Sequence, residues 1–209
     1  MSGVAPNARA SRSSISAALV LLIVLGAAGW LAASSAGPPL EMVMPTIPPR
    51  CPGVSAEADS LAGGALPVGA TPFDVDLPGV ANLQPDLLAA LQAAAREAAR
   101  YGVAVEVNSG WRSEEYQALL LCQAVRRYGS QSEAERWVAT PSTSLHVHGA
   151  AVDVGPDLAA DWLWDHGAQF GLCRVYWNEP WHFELRTDAS SEGCPQMYAD
   201  AAHDPRLRE

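Results

Sequence analysis

The sequence predicts an α+β domain, in which helices pack on a small, mostly antiparallel sheet, preceded by an N-terminal membrane or signal segment. Three observations carry this. Apolar residues recur at helical spacing in two long stretches, one through Leu87, Leu91, Ala94 and Ala98 and one through Tyr116, Leu119, Leu120 and Val125. Short strand-like runs, such as Val103 to Val107 and Ala150 to Val154, fall between and after them without a regular strand–helix–strand repeat. Finally, an uncharged apolar run from Ile15 to Ala33 follows a flank whose only charges are Arg9 and Arg12.

Taken in order, residues 1–14 read as a cytoplasmic N-terminus and residues 15–36 as a signal anchor or signal peptide, with the positive flank on the inner side. The run is close to the ~20 residues a bilayer-spanning helix needs, which favours a retained anchor. The small residues Ala33-Ser34-Ser35-Ala36 offer a cleavage site, so both readings stand. Residues 37–80 form a Pro/Gly-rich stalk and lead-in, because proline at that density removes backbone donors and fixes φ. The folded domain spans 81–190 and a C-terminal tail 191–209.

Within the domain, Pro85 opens a helix that stops at Gly102, and Val103 to Val107 alternates as a strand. Ser113 is a good N-cap for a second helix that runs to Tyr128 and closes at Gly129. Ser132-Glu133-Ala134-Glu135 reads as a capping box for a short helix up to Val138. Ala150 to Val154 is expected as a strand and Asp157 to Phe170 as a helix ending at Gly171, with short strands around Val175 and Phe183.

Composition excludes several classes. The 209 residues carry a net charge of −10, which leaves no basic surface for nucleic acid. All 13 basic residues are arginine, so a lysine nucleophile or Schiff base is impossible. The four cysteines lack Cys-x-x-Cys spacing, and Cys51 follows Pro-Pro-Arg rather than a lipobox. Export places them in an oxidising compartment, where two disulfides are expected. Of the three connectivities, Cys122–Cys173 with Cys51–Cys194 is the expected one.

The chemistry-bearing residues concentrate in two stretches, Ser142 to Asp153 and Asn178 to Glu184. His146, Asp153 and His182 supply two imidazoles and a carboxylate, a donor set suited to hydrolytic zinc with a position left for water. His146 and Asp153 are seven residues apart, which on one regular strand puts them on opposite faces, so a bend is needed, and Gly149 is placed to make it. Pro180 puts Glu179 in the turn before a strand that bears His182, within reach of the metal-bound water as a general base. The helical His-Glu-x-x-His motif is absent. An Fe(II) site is the weaker metal reading, because those commonly space His and Asp two apart. The competing structural reading makes Trp181-His182-Phe183-Glu184 a plain amphipathic edge. His166 and His203 are assigned to structure.

Ser144-x-His146-x-x-Gly149-x-Ala151-x-Asp153, followed by Glu179-x-x-His182 within Glu-Pro-Trp-His-Phe, resembles the D-alanyl-D-alanine carboxypeptidases of VanY type. Ser109-Gly110-Trp111-Arg112-Ser113 with Gln117 is similar to a third segment of that family, and the resemblance covers roughly residues 82–186. It implies a zinc peptidase in which His146, Asp153 and His182 hold Zn2+ at the sheet and Glu179 is the catalytic base. Arg112 stabilises the oxyanion, and Gln117 with Ser144 grips the substrate's terminal carboxylate. His148 competes with His146, which is preferred because only it keeps the matched spacing. Glu184 is either a partner of a ligand imidazole or a solvated strand residue. Trp111 and Trp181 are candidate cleft walls, and Trp162 and Trp164 structural. The expected reaction is D,D-carboxypeptidase hydrolysis of peptidoglycan stem peptides by a monomer, held at the membrane through its N-terminal segment or secreted to the wall. L,D-carboxypeptidase, D,D-dipeptidase and a non-catalytic zinc-containing wall-binding module are the alternatives.

Overall fold

A computed structural model describes residues 51, 53–55 and 57–208. The expected membrane or signal segment at 15–36 and the stalk up to residue 50 lie outside the described residues. Among the described residues, no helix is long and apolar enough to cross a membrane.

The helices are α1 (Pro78–Ala81), α2 (Pro85–Arg100), α3 (Glu114–Tyr128), α4 (Gln131–Ala134), α5 (Asp157–His166) and α6 (Ala189–Glu192), joined by short 3-10 turns. The strands β1 (Glu106–Ser109), β2 (Ala151–Gly155), β3 (Leu172–Arg174) and β4 (His182–Leu185) form one sheet in the order β1-β2-β4-β3, every pair antiparallel. The α+β class with a small antiparallel sheet is therefore the observed fold.

The two faces of the sheet follow from the period of two along each strand. Val107, Val152, Val154, Leu172 and Phe183 turn to one side, where Leu87, Leu91, Ala94 and Ala98 of α2 and Leu163 of α5 complete a dry core. Leu87 and Leu91 are wholly buried, and burying each side chain contributes about 1.5–3 kcal/mol. The intervening residues Asp153, His182 and Glu184 therefore leave from the opposite face, and all three are buried. The core face builds the scaffold, and its reverse carries the polar cluster.

Most caps lie where the sequence puts them. Ser113 Oγ accepts from the Tyr116 amide, and Gly129 ends α3 in the left-handed region at φ 83°. The short helix differs: Ser130, not Ser132, is its N-cap, accepting from the Glu133 amide, and it stops at Ala134 rather than Val138. Ser130-x-x-Glu133 carries the same Ser-x-x-Glu pattern two residues earlier, directly after the chain has been turned by Gly129, while the Glu133 carboxylate pairs with Arg136. The helix from Asp157 ends at His166 and tightens into a 3-10 turn over Gly167–Phe170 before Gly171. Val103 and Val105 are buried, but the ladder begins only at Glu106. Val175 lies just past β3, packed with Tyr176, Ala201 and Tyr198 of the tail.

The disulfides overturn the expected pairing. Cys51 is bonded to Cys122 and Cys173 to Cys194. Cys173 sits on edge strand β3 opposite Glu184, and the chain leaving β4 turns back to that edge, with the Arg186 amide donating to Gly171 O. Cys194 is thereby brought within a Cα separation of 5.5 Å. Cys122 lies on α3, where the lead-in reaches it at 5.9 Å.

Candidate metal centre

The register of the sheet assembles the site. Asp153 on β2 pairs directly with His182 on β4 and, across a bulge, with Ser109 on β1. Direct cross-strand neighbours on one face approach closely, so Asp153 and His182 meet without any loop arranging them. His146 comes from outside the sheet, in turns closed by the bonds Val147 N–H to Ser144 O, Gly149 N–H to His146 O and Ala150 N–H to Leu145 O. Gly149 makes the bend at φ +64°, where a Cβ would lie 2.2 Å from the carbonyl oxygen of Asn82. Only glycine fits that conformation and that space.

Three ligand-type atoms converge. His146 Nε2 is 3.3 Å from His182 Nδ1 and 3.4 Å from Asp153 Oδ1, and His182 Nδ1 is 3.2 Å from Asp153 Oδ1. A tetrahedral site with metal–ligand bonds of about 2.0–2.2 Å has edges of about 3.3–3.6 Å between ligand atoms, so the triangle fits one cation. The outer nitrogens agree with this. His146 Nδ1 lies 2.8 Å from Gly110 O, an acceptor only, so it carries the proton and leaves Nε2 with its lone pair. His182 Nε2 faces Glu184 Oε1 at 3.4 Å, which likewise directs the Nδ1 lone pair inward. Two imidazole nitrogens and a carboxylate oxygen aimed at one point form a zinc-type donor set. The same cluster is the candidate metal group among the described residues.

The electrostatics are those of a site that wants positive charge. Burial disfavours the Asp153 carboxylate, but His146, His182 and Arg112 around it hold it well below the usual carboxylate range. Burial also works against a charged His182, yet its hydrogen bonds to Asp153 and Glu184 outweigh this and push the imidazole up to about 10. His146 is lowered, chiefly by burial and then by Arg112. A divalent cation would compete with the His182 proton for the same lone pair, so metal capture there would release a proton.

Glu179 lies in the turn before β4, 8% exposed, with Oε2 3.9 Å from His182 Nδ1. Burial raises its carboxyl to about 7. Arg112 is clamped on three sides: Nε donates to Ser109 Oγ at 2.7 Å, Nη1 to Gln117 Oε1 at 3.0 Å and Nη2 to Asp153 Oδ2 at 2.7 Å. Asp153 thus offers one oxygen to the metal point and the other to the guanidinium. Gln117 is 1% exposed and donates from Nε2 to Ala139 O at 2.8 Å, so much of its amide is spent on holding Arg112. Ser144 is buried beside it at the cleft.

All seven sequence-derived residues, Arg112, Gln117, Ser144, His146, Asp153, Glu179 and His182, line one cavity of about 210 Å³. Trp137, Val138, Tyr176, Trp181 and Ala201 are among its other walls. Trp181 is a wall of the cavity, as expected, whereas Trp111 is not among the residues lining it. His148 is exposed, because the segment is a series of turns and not the extended strand that would put it beside His146. Glu184 is resolved as a buried partner of His182; the signal was its two-residue offset from His182 on one strand. Sequence reasoning missed Tyr176, whose ring centroid lies 4.9 Å from that of His182, and the Gly110 carbonyl. A backbone acceptor leaves no trace in residue type.

Comparison with known proteins gives a consistent picture. The family model described as VanY: D-alanyl-D-alanine carboxypeptidase matches residues 80–187. A D-alanyl-D-alanine carboxypeptidase of Enterococcus faecalis (strain ATCC 700802 / V583) is 34% identical over 39% of this chain and 40% of its own length, so the chain spans less than half of that relative. Among solved structures, a Zn(II) complex of a variant of the vancomycin-resistance D,D-pentapeptidase VanY from the VanB-type cassette is 30% identical, covering 49% of this chain and 72% of that one with a TM-score of 0.47. VanYB in complex with D-alanine-D-alanine is 28% identical, covering 53% and 78%, with a TM-score of 0.49.

Proposed function

The chain belongs to the VanY family of D-alanyl-D-alanine carboxypeptidases, and from that premise we propose that it is a zinc-dependent D,D-carboxypeptidase acting on peptidoglycan stem peptides. The observation that carries the proposal is the convergence of His146 Nε2, Asp153 Oδ1 and His182 Nδ1 beside the buried carboxyl of Glu179. These three residues would hold the metal. Zinc there would supply a Lewis acid able to acidify water and polarise the scissile carbonyl.

Glu179 accepts a proton from the attacking water and returns it to the amine of the departing D-alanine. A carboxyl pushed to about 7 is poised to both take and give a proton near neutrality. Arg112, fixed by Ser109, Gln117 and Asp153, presents its remaining N–H groups to the charge that develops on the carbonyl oxygen. Gln117 and Ser144 line the same cleft and are the candidates to grip the substrate's terminal carboxylate. The presence of both Glu179 and Arg112 favours an enzyme over a non-catalytic wall-binding module. The apolar run after Arg9 and Arg12 supports display of the domain outside the cytoplasmic membrane, anchored there or released.

The test is incubation of the purified protein with pentapeptide and tetrapeptide stems, with and without chelator. D-alanine released from the pentapeptide, lost with chelator and restored by zinc, is the expected result. Release from the tetrapeptide alone would reassign the enzyme to L,D-cleavage, and hydrolysis of free D-alanyl-D-alanine, offered as a third substrate, with neither stem cut would reassign it to D,D-dipeptidase action. Hydrolysis of none of the three at full zinc occupancy would remove the enzyme reading.

A further inference from the structure

The family match ends at residue 187, yet part of the support for His182 comes from beyond it. Glu184 follows His182 by two residues on β4, is 1% exposed, and turns Oε1 toward His182 Nε2 at 3.4 Å. Arg206, on the tail, spans the same carboxylate: Nη1 donates to Oε2 at 2.9 Å and Nη2 to Oε1 at 3.3 Å. Arg186 reaches Oε2 alone, at 2.6 Å. Arg206 is itself fixed. Its Nε donates to Asp204 Oδ1 at 2.9 Å, Nη2 contacts Asp204 Oδ2, and its guanidinium lies over the Tyr198 ring at 5.3 Å. Asp204 is fully buried and accepts from the Tyr176 hydroxyl at 3.0 Å.

We infer that Arg206 is a positioning residue for the metal centre, acting through Glu184 on the imidazole of His182. The inference rests on the metal reading above. A guanidinium fork that spans both oxygens fixes the rotation of a carboxylate. A donor on one oxygen, as Arg186 is, leaves it free to turn. Holding Oε1 against His182 Nε2 keeps the proton on Nε2 and the Nδ1 lone pair on the metal point, and such outer partners raise ligand basicity as well as orienting the ring. Arg206 shares with Arg186 the balancing of a carboxylate that is buried on the sheet face bearing Asp153, where a charge left short of partners is costly. The tail thus sets metal affinity from outside the region that matches the family.

The full-length protein with Arg206→Met, Arg206→Lys and, as a control, Arg136→Met separates this from general docking of the tail. Arg136 binds Asp200 of the same tail at 2.8 Å and does not touch Glu184. The readout is the zinc dissociation constant by chelator competition, with folding followed by circular dichroism. Arg206→Met is expected to weaken zinc roughly 10- to 100-fold. Arg206→Lys falls in between, because an ammonium keeps the charge but cannot span both oxygens, and Arg136→Met stays at the wild-type value. Wild-type affinity in folded Arg206→Met overturns the inference, and so does an equal loss in Arg136→Met. Should Arg206→Met fail to fold, wild-type affinity in Arg206→Lys overturns it instead. A wild-type protein that binds no zinc removes the metal reading and this inference together, whereas zinc bound equally by wild type and Arg206→Met removes the inference alone.

Discussion

The two sides of the metal centre are built by different means. Asp153 and His182 are cross-strand neighbours whose positions are set by the backbone ladder between β2 and β4. His146, Arg112 and Glu179 stand on turns, and their positions are set by individual contacts: His146 Nδ1 with Gly110 O, the Arg112 amide donating to His146 O, and the His182 amide donating to Glu179 O. The strand side gains its precision from a sheet whose other face is the core. The loop side must specify each residue separately, and that is where the groups proposed to handle protons and stabilise charge sit. A ladder can fix ligands cheaply, whereas a base that must face water, metal and substrate in turn needs a turn to stand on.

Breaking the strand side should cost most. Asp153→Ala removes a ligand oxygen and leaves Arg112 without its buried counter-charge. Loss of bound zinc and of activity on the order of 10⁴-fold is expected, with a stability loss of roughly 3–5 kcal/mol. Metal analysis and denaturant titration check both, and full zinc occupancy in this variant would refute the ligand set.

On the loop side, loss of the base should remove chemistry without removing metal. Glu179→Gln is expected to keep zinc while activity drops on the order of 10³-fold. The sign of the pH dependence follows from the same residue. Its carboxyl is raised from 4.5 to about 7, mainly by burial, and only the ionised form accepts a proton. Activity should therefore rise with pH through an acid limb that lies between these values once the metal's charge draws it down. A pH–rate profile whose acid limb persists unchanged in the residual activity of Glu179→Gln would assign that limb to another group.

Smaller still is Gly149→Ala, which tests the loop's geometry alone. A Cβ there meets Asn82 O at 2.2 Å at a positive φ, and such strain costs about 1–3 kcal/mol. A lowered melting temperature with weaker zinc is expected, and an unchanged melting curve would show that the loop absorbs the change. His148→Ala marks the floor of the series. The side chain is exposed, so its removal should alter zinc affinity and activity by less than about twofold, and loss of zinc would reverse the choice between His146 and His148.

What could be read from the sequence follows the same division. Local rules with a one-residue signature held, such as the Ser113 cap, the Gly129 stop and the bend at Gly149. The triangle of His146, Asp153 and His182 was legible because parity along a strand is a physical constraint: an offset of seven from His146 to Asp153 demanded a bend, and a bend is there. The short helix was read as capped by Ser132, whereas Ser130 caps it. The disulfides were misread because bridging depends on which elements lie side by side, and the return of the chain to β3 carries no residue signature. The short separation of Cys173 and Cys194, 21 residues, was the one available hint, since short loops cost less entropy to close. Glu184 was left undecided because its guanidinium partner Arg206 lies 22 residues further on.

The Cys51–Cys122 bond also has a mechanical consequence. Residue 51 stands at the start of the described domain, and a covalent bond carries its load directly to α3. A pull applied from the N-terminal side is therefore borne by the sulfur bridge and helix α3, and the chain between them is slack to that force. Residues 52–121 form a bypassed loop of this circuit, and within it lie Gly110 and Arg112, which seat His146 and Asp153. The bridge acts as a strain relief of the kind fitted to a cable where it enters an instrument: tension stops at the collar, and the contacts behind it stay aligned.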